Sequence, residues 1–207
     1  MTPEEVSALF TRSDGSYSFA RWARPIAPVG FGVTDETLTV VKGALEAVMV
    51  LCGHQMAETD PELGSNMMIF FFRDWDELPD VPGLDRLVND LVPLVGRLKE
   101  ADANQYRVFH FDEAGGIKAC FIFLRMDENL SAVPAETLAL SQIVQSVLLW
   151  SDTAFRTVSP LAVSGDKTIL RPGIAALLRA AYDPVMPAAA GDPSHALRLS
   201  ARITAAQ

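Results

Sequence analysis

The run Met67-Met68-Ile69-Phe70-Phe71-Phe72 is apolar at every position and is bounded by turn residues. A segment that does not alternate has no face to give to water, so it reads as a strand covered on both sides. Much of the surrounding chain reads as helix. Thr34 or Asp35 caps a helix running to about His54, with Leu38, Val41, Leu45, Val48 and Met49 on one face. Leu84 to Lys99 keeps helical spacing, with Pro93 predicted to kink or split it. Tyr106–Phe111 and Ile117–Arg125 read as strands about the turn Glu113-Ala114-Gly115-Gly116.

Leu138–Trp150, entered after Pro134, is apolar nearly all round and reads as a buried helix. Helices are also expected after Thr2-Pro3, over Ile174–Tyr182 and over Ser194–Thr204. Phe19–Val29 is expected to be extended because of Pro25 and Pro28, and Asp74–Gly83 to be an acidic loop. Strands concentrated before residue 126 and helices after it indicate an α+β fold. No repeat or long linker divides the 207 residues. The expected organisation is one domain, 1–207: an extension over 1–18, a strand-containing part over 19–126 and a helical part over 127–207.

The 26 acidic and 17 basic residues leave a net charge of −9. That balance argues against binding nucleic acid or an anionic membrane, while an apolar fraction of 49% excludes a wholly disordered chain. The first residues lack the features of a signal peptide, and no apolar stretch reaches the roughly 20 residues of a membrane span. The expectation is a soluble cytoplasmic protein, or a periplasmic one if a leader precedes it. Cys52 and Cys120 have no Cys-x-x-Cys spacing and read as buried free thiols.

The three histidines offer little chemistry. His54 follows Cys52 by two positions near a helix end, which sets the two on different faces. His110 and Asp112 share a face of a strand and could bind a metal or relay a proton, but hydrogen bonding on a sheet surface is the simpler account of them. His195 lies beside Ser194 and Asp192, but sequence neighbours seldom reach triad geometry and no nucleophile elbow is present. Ser194 reads instead as a helix cap. Gly30-Phe31-Gly32 lacks the third glycine of a dinucleotide loop.

Two blocks of sequence carry a resemblance. Arg21-Trp22-Ala23-Arg24-Pro25-Ile26 and Ser65-Asn66-Met67-Met68-Ile69-Phe70 make up the first, and Ser141–Asp152 with Leu177-Leu178-Arg179-Ala180-Ala181-Tyr182-Asp183-Pro184 the second. Together they resemble a family of uncharacterised proteobacterial proteins, often secreted or lipid-anchored, related to the zincin-like metallopeptidases. The resemblance implies a small twisted sheet, a front-half helix and a zincin-like buried helix after the last strand, followed by C-terminal helices.

In zincins that helix carries His-Glu-x-x-His, with two histidines one turn apart holding zinc and the glutamate acting on metal-bound water. The corresponding positions here are Ser141, Gln142 and Gln145. A hydroxyl and two amides are weak zinc ligands, and Gln142 has no proton to exchange near neutral pH. The resemblance therefore implies neither metal nor cofactor, and a pseudoenzyme. The expected function is a non-catalytic module that binds an unknown peptide or protein through Ser141, Gln142, Gln145 and Asp152. The alternative is a hydrolase of another chemistry, with His110, Asp112 and Asp152 around one pocket, which requires His110 and Asp152 to face each other.

Overall fold

The computed structural model describes residues 1–205. Its elements in chain order are α1 (Pro3–Ala8), β1 (Phe19–Ala20), β2 (Pro28–Phe31), α2 (Asp35–Cys52), β3 (Met67–Phe72), α3 (Leu91–Glu100), β4 (Gln105–Phe111), β5 (Ile117–Arg125) and α4 (Glu128–Ser131). Then come α5 (Ala135–Val144), β6 (Leu161–Ser164), β7 (Lys167–Leu170), α6 (Pro172–Ala181), β8 (Ala189–Ala190) and α7 (Ser194–Ala205). The fold is α+β.

The central sheet has the order β2-β3-β5-β4. β2, β3 and β5 run parallel, and β4 closes one edge antiparallel to β5. The apolar run of β3 is covered on both sides, as its composition requires. On one face Ile69 and Ile122 pack into a core with Leu45, Ile143, Leu177 and Leu199, contributed by α2, α5, α6 and α7. On the other, Phe70, Phe72, Phe121 and Phe123 meet Trp75, Leu84 and Leu94, from the segment between β3 and β4. Full burial of each such side chain is worth about 1.5–3 kcal/mol, so these two layers hold the sheet together.

Local sequence explains most element ends. The Thr34 hydroxyl accepts from the Thr37 amide to start α2, and Gly53, at φ 66°, ends it in the left-handed conformation. Leu84–Lys99 is split rather than kinked: a 3-10 turn covers Leu84–Arg86, and α3 begins at Leu91. Pro93 thereby sits in the first turn of α3, where its missing N–H costs no hydrogen bond. The acidic loop is ordered as a 3-10 helix over Trp75–Asp80, capped reciprocally by Asp74 and Glu77.

The helix expected over Leu138–Trp150 runs instead from Ala135 to Val144. Side-chain donors take carbonyls at and just beyond this end. Trp22 Nε1 donates to Ser146 O at 2.9 Å, Tyr182 Oη to Val147 O at 2.6 Å and Trp150 Nε1 to Val144 O at 2.9 Å. Residues 148–152 consequently leave the helix, and Leu148 bridges to Arg21. The antiparallel hairpin β6–β7 also follows α5, within a stretch expected to contain no strand.

Gly32, at φ 79°, brings the end of β2 against β3, and a Cβ there would collide with the Phe71 carbonyl. Gly32→Ala is expected to lose roughly 2–3 kcal/mol, combining left-handed strain with a backbone clash. Urea denaturation checks this, and a loss below about 0.5 kcal/mol would contradict the close approach.

Candidate functional site

Because β2, β3 and β5 are parallel, their carboxyl ends open on one side of the sheet, where open sheets crossed by helices commonly place ligand crevices. A cavity of about 280 Å³ lies there, between α2 and α5 and roofed by α4. Its wall is mostly apolar, with Val33, Val41, Phe71, Leu124, Met126 and Leu138 prominent. The polar side chains on it are those of Thr37, Ser131 and Gln142. Among the described residues, no lining side chain is an acid, a base, a histidine or a cysteine.

Gln142 is buried and links the cavity to a polar cluster beneath α5. β4 turns alternate residues to opposite faces. Tyr106 and Val108 join the layer containing α3, while Arg107 reaches α5. Arg107 Nη2 donates to Gln142 Oε1 and, at 3.3 Å, to Gln105 Oε1, while Nε donates to Ser146 Oγ at 3.1 Å. Gln142 Nε2 donates to Gln105 Oε1 at 3.2 Å, and Ser146 Oγ to Gln142 O at 2.7 Å.

All of these acceptors are neutral. Arg24, Lys118, Arg125 and Arg202 each pair with a carboxylate, whereas Arg107 lies within 4 Å of none among the described residues. Burial lowers its pKa to about 10, which still leaves it cationic at neutral pH. Cys120, beside it, is free, and burial pushes its thiol up to about 12, so it is no ready nucleophile.

The residues singled out in the sequence separate into several places. Gln142 lines the cavity. Ser141 and Gln145 bind each other, Gln145 Nε2 donating to Ser141 Oγ at 3.0 Å. Asp152 lies beyond the helix, accepting from the Ser13 amide at 2.9 Å and pairing with Arg156 at 3.5 Å. His110 packs edge-on against Phe121 in the layer containing α3, and burial lowers its pKa. Asp112 caps the β4–β5 turn, accepting from the amides of Ala114 and Gly116 at 2.9 Å each. His110 and Asp152 therefore sit on opposite sides of the sheet, His110 with the α3 layer and Asp152 beside Ser13 and Trp150.

His54 Nε2 lies 2.9 Å from Arg24 O, and the Tyr17 hydroxyl lies 2.9 Å from Nδ1 of the buried His195. Among the described residues, no three side chains of His, Cys, Asp or Glu converge on a metal-sized site. Sequence reasoning missed Arg107. The available signal was a charge in phase with Phe109, on the strand face turned toward the core.

Comparison with protein-family models, with curated proteins and with solved structures gave no match in any of the three.

Proposed function

We propose that the protein is a binding module whose cavity between α2, α5 and the carboxyl ends of the parallel strands takes an apolar group of its ligand. The carrying observation is the cavity wall, apolar over most of its area and free of titratable side chains. Such a wall offers a desolvated seat for carbon. General acid–base chemistry needs a titrating group within hydrogen-bond reach, and a hydroxyl nucleophile needs a base beside it. Thr37 and Ser131 have neither within the cavity, which favours binding over catalysis.

On the zincin resemblance, α5 is the helix that would have held metal, and Gln142 occupies the glutamate position. Its contact with the cavity supports reading this helix as a binding surface. Gln145 is bonded to its own helix and does not line the cavity.

The test is a titration with octan-1-ol, followed by the methyl NMR signals of Val33, Val41 and Leu138. Saturable shifts at these methyls are expected. Ala135→Trp, at the exposed rim, should abolish them with the fold intact, while Gln145→Trp should leave them unchanged. Unmoved methyl signals in the parent protein would end this reading.

A further inference from the structure

Arg107 stands one side chain behind the cavity wall, and its surroundings are unusual for a half-buried cation. Three neutral oxygens, from Gln105, Gln142 and Ser146, occupy Nε and Nη2. Nη1 has no acceptor among the described residues, yet it is not one of the atoms sealed from solvent, as Nε of Arg21 and of Arg125 are. In a chain carrying 26 acidic residues, none is placed against this guanidinium. Amide and hydroxyl dipoles orient it without neutralising it, so its charge remains available to an anion from outside the chain.

We infer that the cavity takes an amphipathic carboxylate, an aliphatic acid of medium chain length, whose tail fills the apolar space and whose head binds Arg107 beside Gln142. The inference rests on the cavity being a binding site, as proposed above. Two features select the head. Nη1 and Nη2 form one edge of the guanidinium, the geometry that a carboxylate accepts from in bidentate fashion. Nη1 meets no acceptor among the described residues, and Nη2 is held by amide oxygens that an anionic acceptor out-competes, because charge-assisted hydrogen bonds are roughly twice as strong as neutral ones. Gln142 lies between the cavity and the guanidinium, since its amide oxygen accepts from Arg107 and its side chain lines the cavity. The tail is set by volume: a cavity of roughly 150 Å³ admits benzene, so about 280 Å³ suits a chain of about eight carbons.

The experiment compares octanoate with octan-1-ol, which share a tail and differ in the head, by the same methyl NMR titration at pH 7. Octanoate is expected to bind at least tenfold more tightly. In Arg107→Met the two affinities should become equal, and in Arg107→Lys, which keeps the charge but loses the fork, part of the preference should remain. The parent comparison needs no variant to fold. Equal affinities in the parent overturn the role of Arg107 while leaving the cavity as a binding site. An octanoate preference that survives Arg107→Met also overturns it. If neither compound moves the cavity methyls, both this inference and the binding reading fail.

Discussion

Replacing Trp22 by alanine is expected to remove about 5 kcal/mol of stability, a large share of the roughly 5–15 kcal/mol that holds a typical domain folded. Trp22 is fully buried, and its indole N–H is the donor that holds Ser146 O at 2.9 Å. Truncating a buried tryptophan costs about 3–5 kcal/mol through lost burial and the cavity left behind. An orphaned buried carbonyl adds about 1–3 kcal/mol. Trp22→Phe separates the two effects: it keeps most of the volume and should lose only about 1–3 kcal/mol. The damage should also travel. Ser146 holds Arg107 Nε, so the turn that Trp22 anchors is the same turn that positions the guanidinium. Urea denaturation of both variants, with slopes compared, measures the losses. A loss below about 2 kcal/mol for Trp22→Ala would mean that the turn after α5 is held by other contacts.

Stability should fall as the pH drops from 7 to 5, and His195 is the main cause. Its ring is buried against Phe19, its Nδ1 meets the Tyr17 hydroxyl, and its Nε2 has no partner among the described residues. Burial, assisted by the nearby Arg198 charge, lowers its pKa from an ordinary 6.5 to about 4. The unfolded chain therefore takes up the proton first. Stability is full above pH 6.5, declines as pH falls below it, and levels off near pH 4. At 1.36 kcal/mol per pH unit this amounts to about 2 kcal/mol at pH 5 and about 3 kcal/mol over the whole range. His54 and His110 are lowered in the same direction, chiefly by burial, and add to the slope. Carboxylates such as Asp127, held below 3.8 by backbone and side-chain hydrogen bonds, act only at lower pH. His195→Phe retains an aromatic ring against Phe19 and should lose most of the dependence between pH 7 and 5. If its slope matches that of the parent protein, the buried imidazole is not the source.

The sequence was most legible where one element answers to its own residues. The period of α2 and its threonine cap located it to within two residues of its observed end, which Gly53 sets. The unbroken apolar run of β3 and the turn between β4 and β5 were equally local. The end of α5 was not legible, because it depends on donors from Trp22 and Tyr182, distant in sequence and adjacent only after folding. The cavity was hidden for a similar reason. It exists because three strands run parallel, and hydropathy carries no strand direction. Gln142 was singled out through the resemblance, and the partner that gives it chemical interest, Arg107, lies on the edge strand beneath it.

Phe19 pairs with Ala190, and Tyr17 meets His195, so aromatic side chains early in the sequence are covered by residues more than 170 positions later. On a ribosome adding about 5–20 residues per second, Tyr17 and Phe19 emerge roughly 10–30 s before the segment that covers them. For that interval the two rings have Phe10 beside them but lack the cover of His195. The delay exposes the nascent segment to sticking, a risk set by how the chain is connected and separate from the stability of the finished fold.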